Sequence, residues 1–162
     1  HFISFSSLSS KQIKLQPWDT PGSQDYSALR SLSYPSSDII IFCFSLVDPK
    51  SLDNIEKYWI PEVKKERPGK PYIIVGLKSD LRDDFAQHSE LKQQGFEPIS
   101  TEKGMKMKEK IGAQEYLECS SLKNENLKGV IETVIKVLIH QREIEDQNAL
   151  SGSNYSPSEY SD

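Results

Sequence analysis

Three features of this 162-residue sequence predict a doubly wound α/β domain with a mostly parallel sheet. Short apolar runs alternate with stretches of helical periodicity, the runs are rich in Ile, Val and Phe, and no internal repeat interrupts the alternation. Ile13 and Leu15 alternate with polar neighbours before Trp18 breaks phase, which suggests a half-exposed strand over 12–18. The Ser-rich residues 1–10, with Phe2, Ile3 and Phe5, read as a partner strand or a frayed end. From Gly22 to Pro35 no period holds, so the segment reads as a loop with one helical turn.

Asp38 to Val47 reads as a buried strand. Asp48-Pro49 then opens a helix with Leu52, Ile55, Trp59 and Val63 three or four apart, and Pro61 is expected to kink it. Pro68-Gly69 turns the chain into a third strand, Tyr72 to Leu77. Polar residues 82–97 read as a surface insertion with a short amphipathic piece around Leu91. Ser100 is an N-cap for a helix ending at Ile111 and closed by Gly112. A short strand follows at Tyr116 to Cys119. The last helix carries Leu127, Val130, Ile131, Val134, Ile135 and Leu138 on one face. These expectations divide the chain into a domain at 1–142 and a polar, acidic, Ser-rich disordered tail at 143–162.

Composition removes several function classes. A net charge of −4 argues against a nucleic-acid or membrane-surface binder, because phosphate affinity needs concentrated Lys and Arg. The longest apolar run, Ile39 to Phe44, is far short of the ~20 residues of a spanning helix. Cys43 and Cys119 lie in strand-like segments and read as buried reduced thiols, which places the chain in the cytoplasm. The chain opens on His1 with neither a basic nor a long apolar leader, so its first residues do not read as a signal peptide.

Candidate chemistry gathers at three strand ends, where a parallel α/β sheet presents its ligand loops. Val75-Gly76-Leu77-Lys78-Ser79-Asp80 ends in Lys-x-Asp. One carboxylate there can accept two hydrogen bonds from the N1–H and N2–H₂ edge of guanine, a donor pair adenine lacks. The stem of Lys78 can lie along the purine while its ammonium stays wet. Asp19 can hold Mg²⁺ through water, and Gly22 can bring its N–H near a terminal phosphate without a Cβ. Ser120 and Ser121 can turn backbone N–H groups to guanine O6. Each piece has a plainer reading: a solvated strand end, an Asp-Thr-Pro-Gly turn, a helix cap. Their common order and placement favour the nucleotide site.

From Lys11 to Ile139 the chain resembles the Rho/Rac branch of the Ras-like small GTPases. The resemblance rests on Trp18-Asp19-Thr20-x-Gly22, Asp25-Tyr26-x-x-Leu29-Arg30-x-Leu32-Ser33-Tyr34-Pro35 and Cys43-Phe44-Ser45. It continues through Trp59-x-Pro61-Glu62-Val63, Val75-Gly76-x-Lys78-x-Asp80-Leu81-Arg82-Asp83-Asp84 and Tyr116-x-Glu118-Cys119-Ser120. Residues 82–98 match the insert that marks Rho proteins. The resemblance implies a guanine-nucleotide switch in signal transduction that binds GTP or GDP with Mg²⁺. Lys78 and Asp80 would read the base, Ser120 and Ser121 would support it, Asp19 would reach Mg²⁺ through water, and Gly22 would sense the γ-phosphate. Tyr26, Leu29 and Leu32 would meet exchange factors, GTPase activators and effectors; without the resemblance they read as an apolar cluster under a loop.

Departures from the family shape the expectation. Ser23 stands where the water-orienting glutamine belongs, and Gln24 comes one residue late, which predicts weak or lost hydrolysis and no catalytic residue. Pro21 restricts Thr20 to extended backbone, and Leu77 replaces a polar base-loop residue. No G-x-x-x-x-G-K-S/T occurs in the sequence. The family's first strand, phosphate loop and first helix, parts of a P-loop NTPase-like G domain, are expected to be missing, with poor GTP affinity as the result. The chain shows no C-a-a-X box, so no lipid anchor is expected. The alternative function is a pseudo-GTPase or truncated product that only binds proteins.

Overall fold

The computed structural model describes residues 3–6 and 12–152. Strands β1 (Ile3–Ser6) and β2 (Gln12–Leu15) pair antiparallel, Ile3 opposite Leu15. The segment read as a loop is more helical than expected. A 3₁₀ turn at Gln24–Tyr26, helix α1 (Ser27–Ser31) and a second 3₁₀ turn at Tyr34–Ser36 fill it. The reason is tertiary: Arg30 is buried and holds the segment to a neighbouring helix.

Strand β3 (Ile40–Ser45) is shorter than the 38–47 expected. Helix α2 (Pro49–Asn54) is N-capped by Asp48, whose carboxylate accepts from the N–H of Lys50. A π-helical turn at Ile55–Trp59 leads into α3 (Ile60–Glu66). The N–H of Ile60 bonds to Ile55 O, and by way of this wider turn the helical residues run on through Pro61. Strand β4 (Tyr72–Leu77) runs into α4 (Ser79–Asp83), followed by a 3₁₀ turn at Phe85–Gln87 and α5 (Ser89–Gln93). The insertion is anchored, because Phe85 is buried and the N–H groups of Glu97 and Ile99 donate to Val47 O and Leu46 O. Helix α6 (Thr101–Ile111) has the Ser100 N-cap and the left-handed Gly112 stop read from the sequence.

Strand β5 (Tyr116–Cys119) completes a parallel sheet of order β3-β4-β5, confirming the mostly parallel α/β fold. Helix α7 (Leu127–Gly152) continues past Arg142, where a disordered tail was expected, because residues 143–150, mostly good helix formers and all exposed, suit a solvated helix. Residues 153–162 of that tail lie outside the described residues.

Alternation along the strands builds two cores. Phe42, Phe44 and Ile74 point to the face covered by α2, α3 and α6, with Leu52, Ile55 and Val63 fully buried there. Ile73, Val75 and Cys119 face Val134 and Val137 of α7. Val137 belongs to the core of that helix although the sequence reading passed it over. Cys43 is exposed, contrary to expectation, because among the described residues β3 is the last strand of its sheet. No helix among the described residues is long and apolar enough to cross a membrane.

Candidate functional site

Strand β4 delivers the centre of the site. Four of its six residues are buried, so its carboxyl end cannot move independently of the core. Lys78, the next residue, adopts the left-handed region at φ 63°, ψ 44°. A residue with a Cβ held there costs about 1–2 kcal/mol. The distortion turns the chain sharply into α4 and swings Asp80 back under the strand end. Lys78→Gly is therefore expected to raise stability by about 0.5–1 kcal/mol in urea denaturation; a loss of stability would show that the conformation is not strained.

Asp80 is only 5% exposed. The hydroxyl of Ser120 donates to its Oδ1 at 2.5 Å across the gap between the ends of β4 and β5. Ser120 is fully buried, and its Oγ also accepts from the N–H of Lys123. One buried side chain thus orients another, and one carboxylate edge remains for a ligand. The backbone N–H of Ser120 is spent on Glu125 O at 3.1 Å, in a two-way bridge with that residue. It is not the donor to a base that the sequence reading allowed. Ser121 is the exposed member of the pair.

Beside this half-site, Arg82 ties α4 to β5 through Glu118 at 2.7 Å. Burial pushes the Glu118 carboxyl upward, but hydrogen bonds from Arg82 and Tyr116 outweigh it and hold the group below its ordinary range. This ion pair fixes the spacing of the two strand ends that carry Asp80 and Ser120.

The phosphate half is less formed. Asp19, after β2, is exposed, and no cluster of three or more metal-binding side chains exists among the described residues. A Cβ on Gly22 would meet no protein atom within 4 Å, so nothing in the chain itself requires a glycine there. Ser23 caps the turn at Gln24–Tyr26, accepting from the N–H of Asp25. The residues therefore fit the base of a guanine nucleotide, while only Asp19 and Gly22 answer to its Mg²⁺ and phosphates.

Trp18, Tyr26, Leu29 and Leu32 are all exposed, Leu32 at 76%. That exposure rules out an apolar cluster buried under a loop.

Sequence reasoning quoted Arg30, Tyr34 and Glu62 but gave them no role. The guanidinium of Arg30 meets Glu62 with two bonds of 2.9 Å, from Nε and Nη2. Its Nη1 donates to the carbonyls of Pro21 and Ser23, and it lies 4.5 Å from the Trp59 ring centre. Tyr34 donates to the same carboxylate. The available signal was an arginine in an otherwise exposed, aperiodic segment, and no local rule separates that from a solvated charge.

Residues 2–140 match the model of the Ras family. The chain belongs to that family. Within it, this Rho-branch chain is 41% identical to the Rho-related GTP-binding protein RhoB of Homo sapiens over 142 residues, covering 88% of the chain and 72% of that relative. It is 40% identical to the GTP-binding protein RHO1 of Candida albicans over 143 residues, with the same coverage. The resemblance read from scattered motifs thus extends over most of the Rho-branch chain.

Proposed function

We infer that this chain is a Rho-type guanine-nucleotide switch whose base-reading half consists of Asp80, Lys78, Ser120 and Ser121. The observation that carries the reading is the buried Asp80 carboxylate, held by the Ser120 hydroxyl at 2.5 Å. A pre-oriented carboxylate loses little on binding and accepts the paired guanine donors without rearrangement. Its close support distinguishes it from a solvated strand-end charge. Asp19 would hold Mg²⁺ through water and Gly22 would face the γ-phosphate; the cation's part is to neutralise phosphate charge. The working unit ends near residue 142, since every residue from Arg142 to Leu150 is exposed and only the helical rod continues.

Titration with fluorescent GDP and its xanthine counterpart tests the base reading. Asp80→Asn is expected to weaken GDP by about 100-fold and strengthen the xanthine nucleotide, because the amide reverses one donor–acceptor pair. An unchanged preference would remove Asp80 from the site. Hydrolysis is weak in this reading, since the Ser23 side chain is short and engaged in capping. Ser23→Gln should raise single-turnover hydrolysis of bound GTP about tenfold or more; no rise would mean that water positioning is not what Ser23 lacks.

A second reading, a protein-binding module that does not cycle nucleotide, draws on the exposure of Tyr26, Leu29 and Leu32 and on the exposed Asp19. Exchange factors, GTPase activators or effectors would meet that surface in either case. Saturable GDP binding, with the bound GDP exchanging for GTP, excludes the second reading.

A further inference from the structure

We propose that the turn joining α3 to β4 is an anion site for a ligand bearing two or more phosphate groups close together, received by Lys64, Arg67 and Lys70. With Lys65, these residues put four positive charges against the single carboxylate of Glu66 between Val63 and Tyr72, in a chain whose net charge is −4. Among the described residues none of the four joins an ion pair or makes a side-chain hydrogen bond. Lysines of α6 are treated differently: Lys108 pairs with Glu115, and Lys110 with Glu56.

Local geometry gathers three of these cations. Lys64 lies in the last turn of α3, and Arg67, three residues on, still bonds its N–H to Val63 O, so helical spacing sets both on one side. Pro68 and Gly69 then turn the chain, with Gly69 at φ 80°. Arg67 and Lys70 are the ends of that turn, a placement that holds their Cα atoms within about 7 Å. Pro68 and Pro71 fix the backbone on either side of Gly69, so little order has to be gained on binding. Glu66, two positions after Lys64, leaves the helix on a different side.

Arg67 shows that a partner is wanting. It is half-buried, and its Nε is shut off from solvent with no acceptor. Buried donors are nearly always satisfied, so this one calls for a reason. Attraction to the carbonyl end of α3 accounts for Lys64 and Lys65 in its last turn. It does not account for Lys70 beyond the helix, nor for a guanidinium that bonds none of those carbonyls. A phosphate group at the turn would supply the acceptors. Swung outward, the Arg67 fork meets two oxygens in parallel, while Lys64 and Lys70 add a point charge on either side. One phosphate monoester brings only about −1.5 to −2 charge, too little for this cluster, which therefore favours a multiply phosphorylated ligand. The cluster spans a single turn, too small to track a polymer or a broad membrane plane. Six residues of β4, about 20 Å, separate it from Lys78, so the inference is independent of the nucleotide reading.

Calorimetric titration with inositol hexakisphosphate at low salt tests the site. Binding should saturate, and amide chemical shifts should move at residues 64–70. Arg67→Gln should weaken it by about tenfold or more with the melting temperature unchanged, and so should Lys64→Gln combined with Lys70→Gln, which leaves Arg67 in place. Lys103→Gln combined with Lys106→Gln removes the same charge from exposed positions of α6 and should change affinity by less than about twofold, as should Asp80→Asn. Vesicles of phosphatidylcholine with and without phosphatidylinositol bisphosphate separate the sources of the phosphates. Retention on the second kind alone, lost in Arg67→Gln, assigns a lipid head group; tight binding of the free probe without retention assigns a soluble ligand. An absence of saturation, equal affinity for inorganic phosphate, or equal weakening by the α6 changes would overturn the proposal.

Discussion

Replacing Arg30 with alanine is expected to destabilise the chain by about 2–4 kcal/mol, lowering its melting temperature by roughly 5–15 °C. The magnitude comes from what the change strands. Arg30 is 4% exposed and serves two oxygens of Glu62, the carbonyls of Pro21 and Ser23, and the face of Trp59. Without it, Glu62 keeps Tyr34 as a donor but loses its counter-charge, and two loop carbonyls lose their side-chain donor. Proteolysis should quicken within 20–36 more than elsewhere, since those carbonyls fasten that segment to α3. A loss below about 0.5 kcal/mol, the range of an exposed ion pair, would contradict this account.

The same pair sets an acid limb. Hydrogen bonding from Arg30 holds Glu62 below the ordinary carboxyl range, although burial alone would raise it. The carboxylate is thus favoured in the folded chain. Its contribution is present above the unfolded value of about 4.3 and fades as pH falls through the lower folded value. In Arg30→Ala that part of the acid loss should shrink, a difference that unfolding curves between neutral pH and pH 3 will measure.

Gly104→Ala is expected to cost about 2–3 kcal/mol in chemical denaturation, although alanine is the better helix former by about 1 kcal/mol. A Cβ at 104 would lie 2.2 Å from Tyr116 Cζ and 2.3 Å from its hydroxyl oxygen. A long side chain could swing aside, but this ring is held at both ends. It stacks on Phe44 with ring centres 6.2 Å apart, and its hydroxyl donates to Glu118, itself paired with Arg82. Displacing the ring disturbs the strut between the ends of β4 and β5, so nucleotide affinity should fall with stability. Tyr116→Ala combined with Gly104→Ala should cost clearly less than the two changes summed, because the clash exists only when both side chains are present. Additive costs would place the damage elsewhere.

Much of the candidate site was legible because its signals are local. Lys78-x-Asp80 follows an apolar run, Ser120 follows another, and strand ends in a parallel sheet place such residues together without tertiary detail. Ser100 and Gly112 ended α6 for equally local reasons, a side-chain acceptor and a left-handed backbone. The division of labour between Ser120 and Ser121 was not legible. It depends on a bridge to Glu125 that takes the Ser120 N–H. The helical character of 24–36 also escaped, because the segment has little periodicity and is pinned by one side chain reaching 32 positions along the chain.

By itself, the sequence determined the α/β class, the β3-β4-β5 strands and the family, and it nominated the residues proposed to read the base, since alternation, caps and short motifs act over a few residues. Only the tertiary structure decided that Arg30 is a buried clasp, that Gly104 must lack a side chain, and that Cys43 stands open. Each of those depends on which distant surfaces meet, and burial, hydrogen-bond satisfaction and strand pairing are properties of the meeting rather than of either segment.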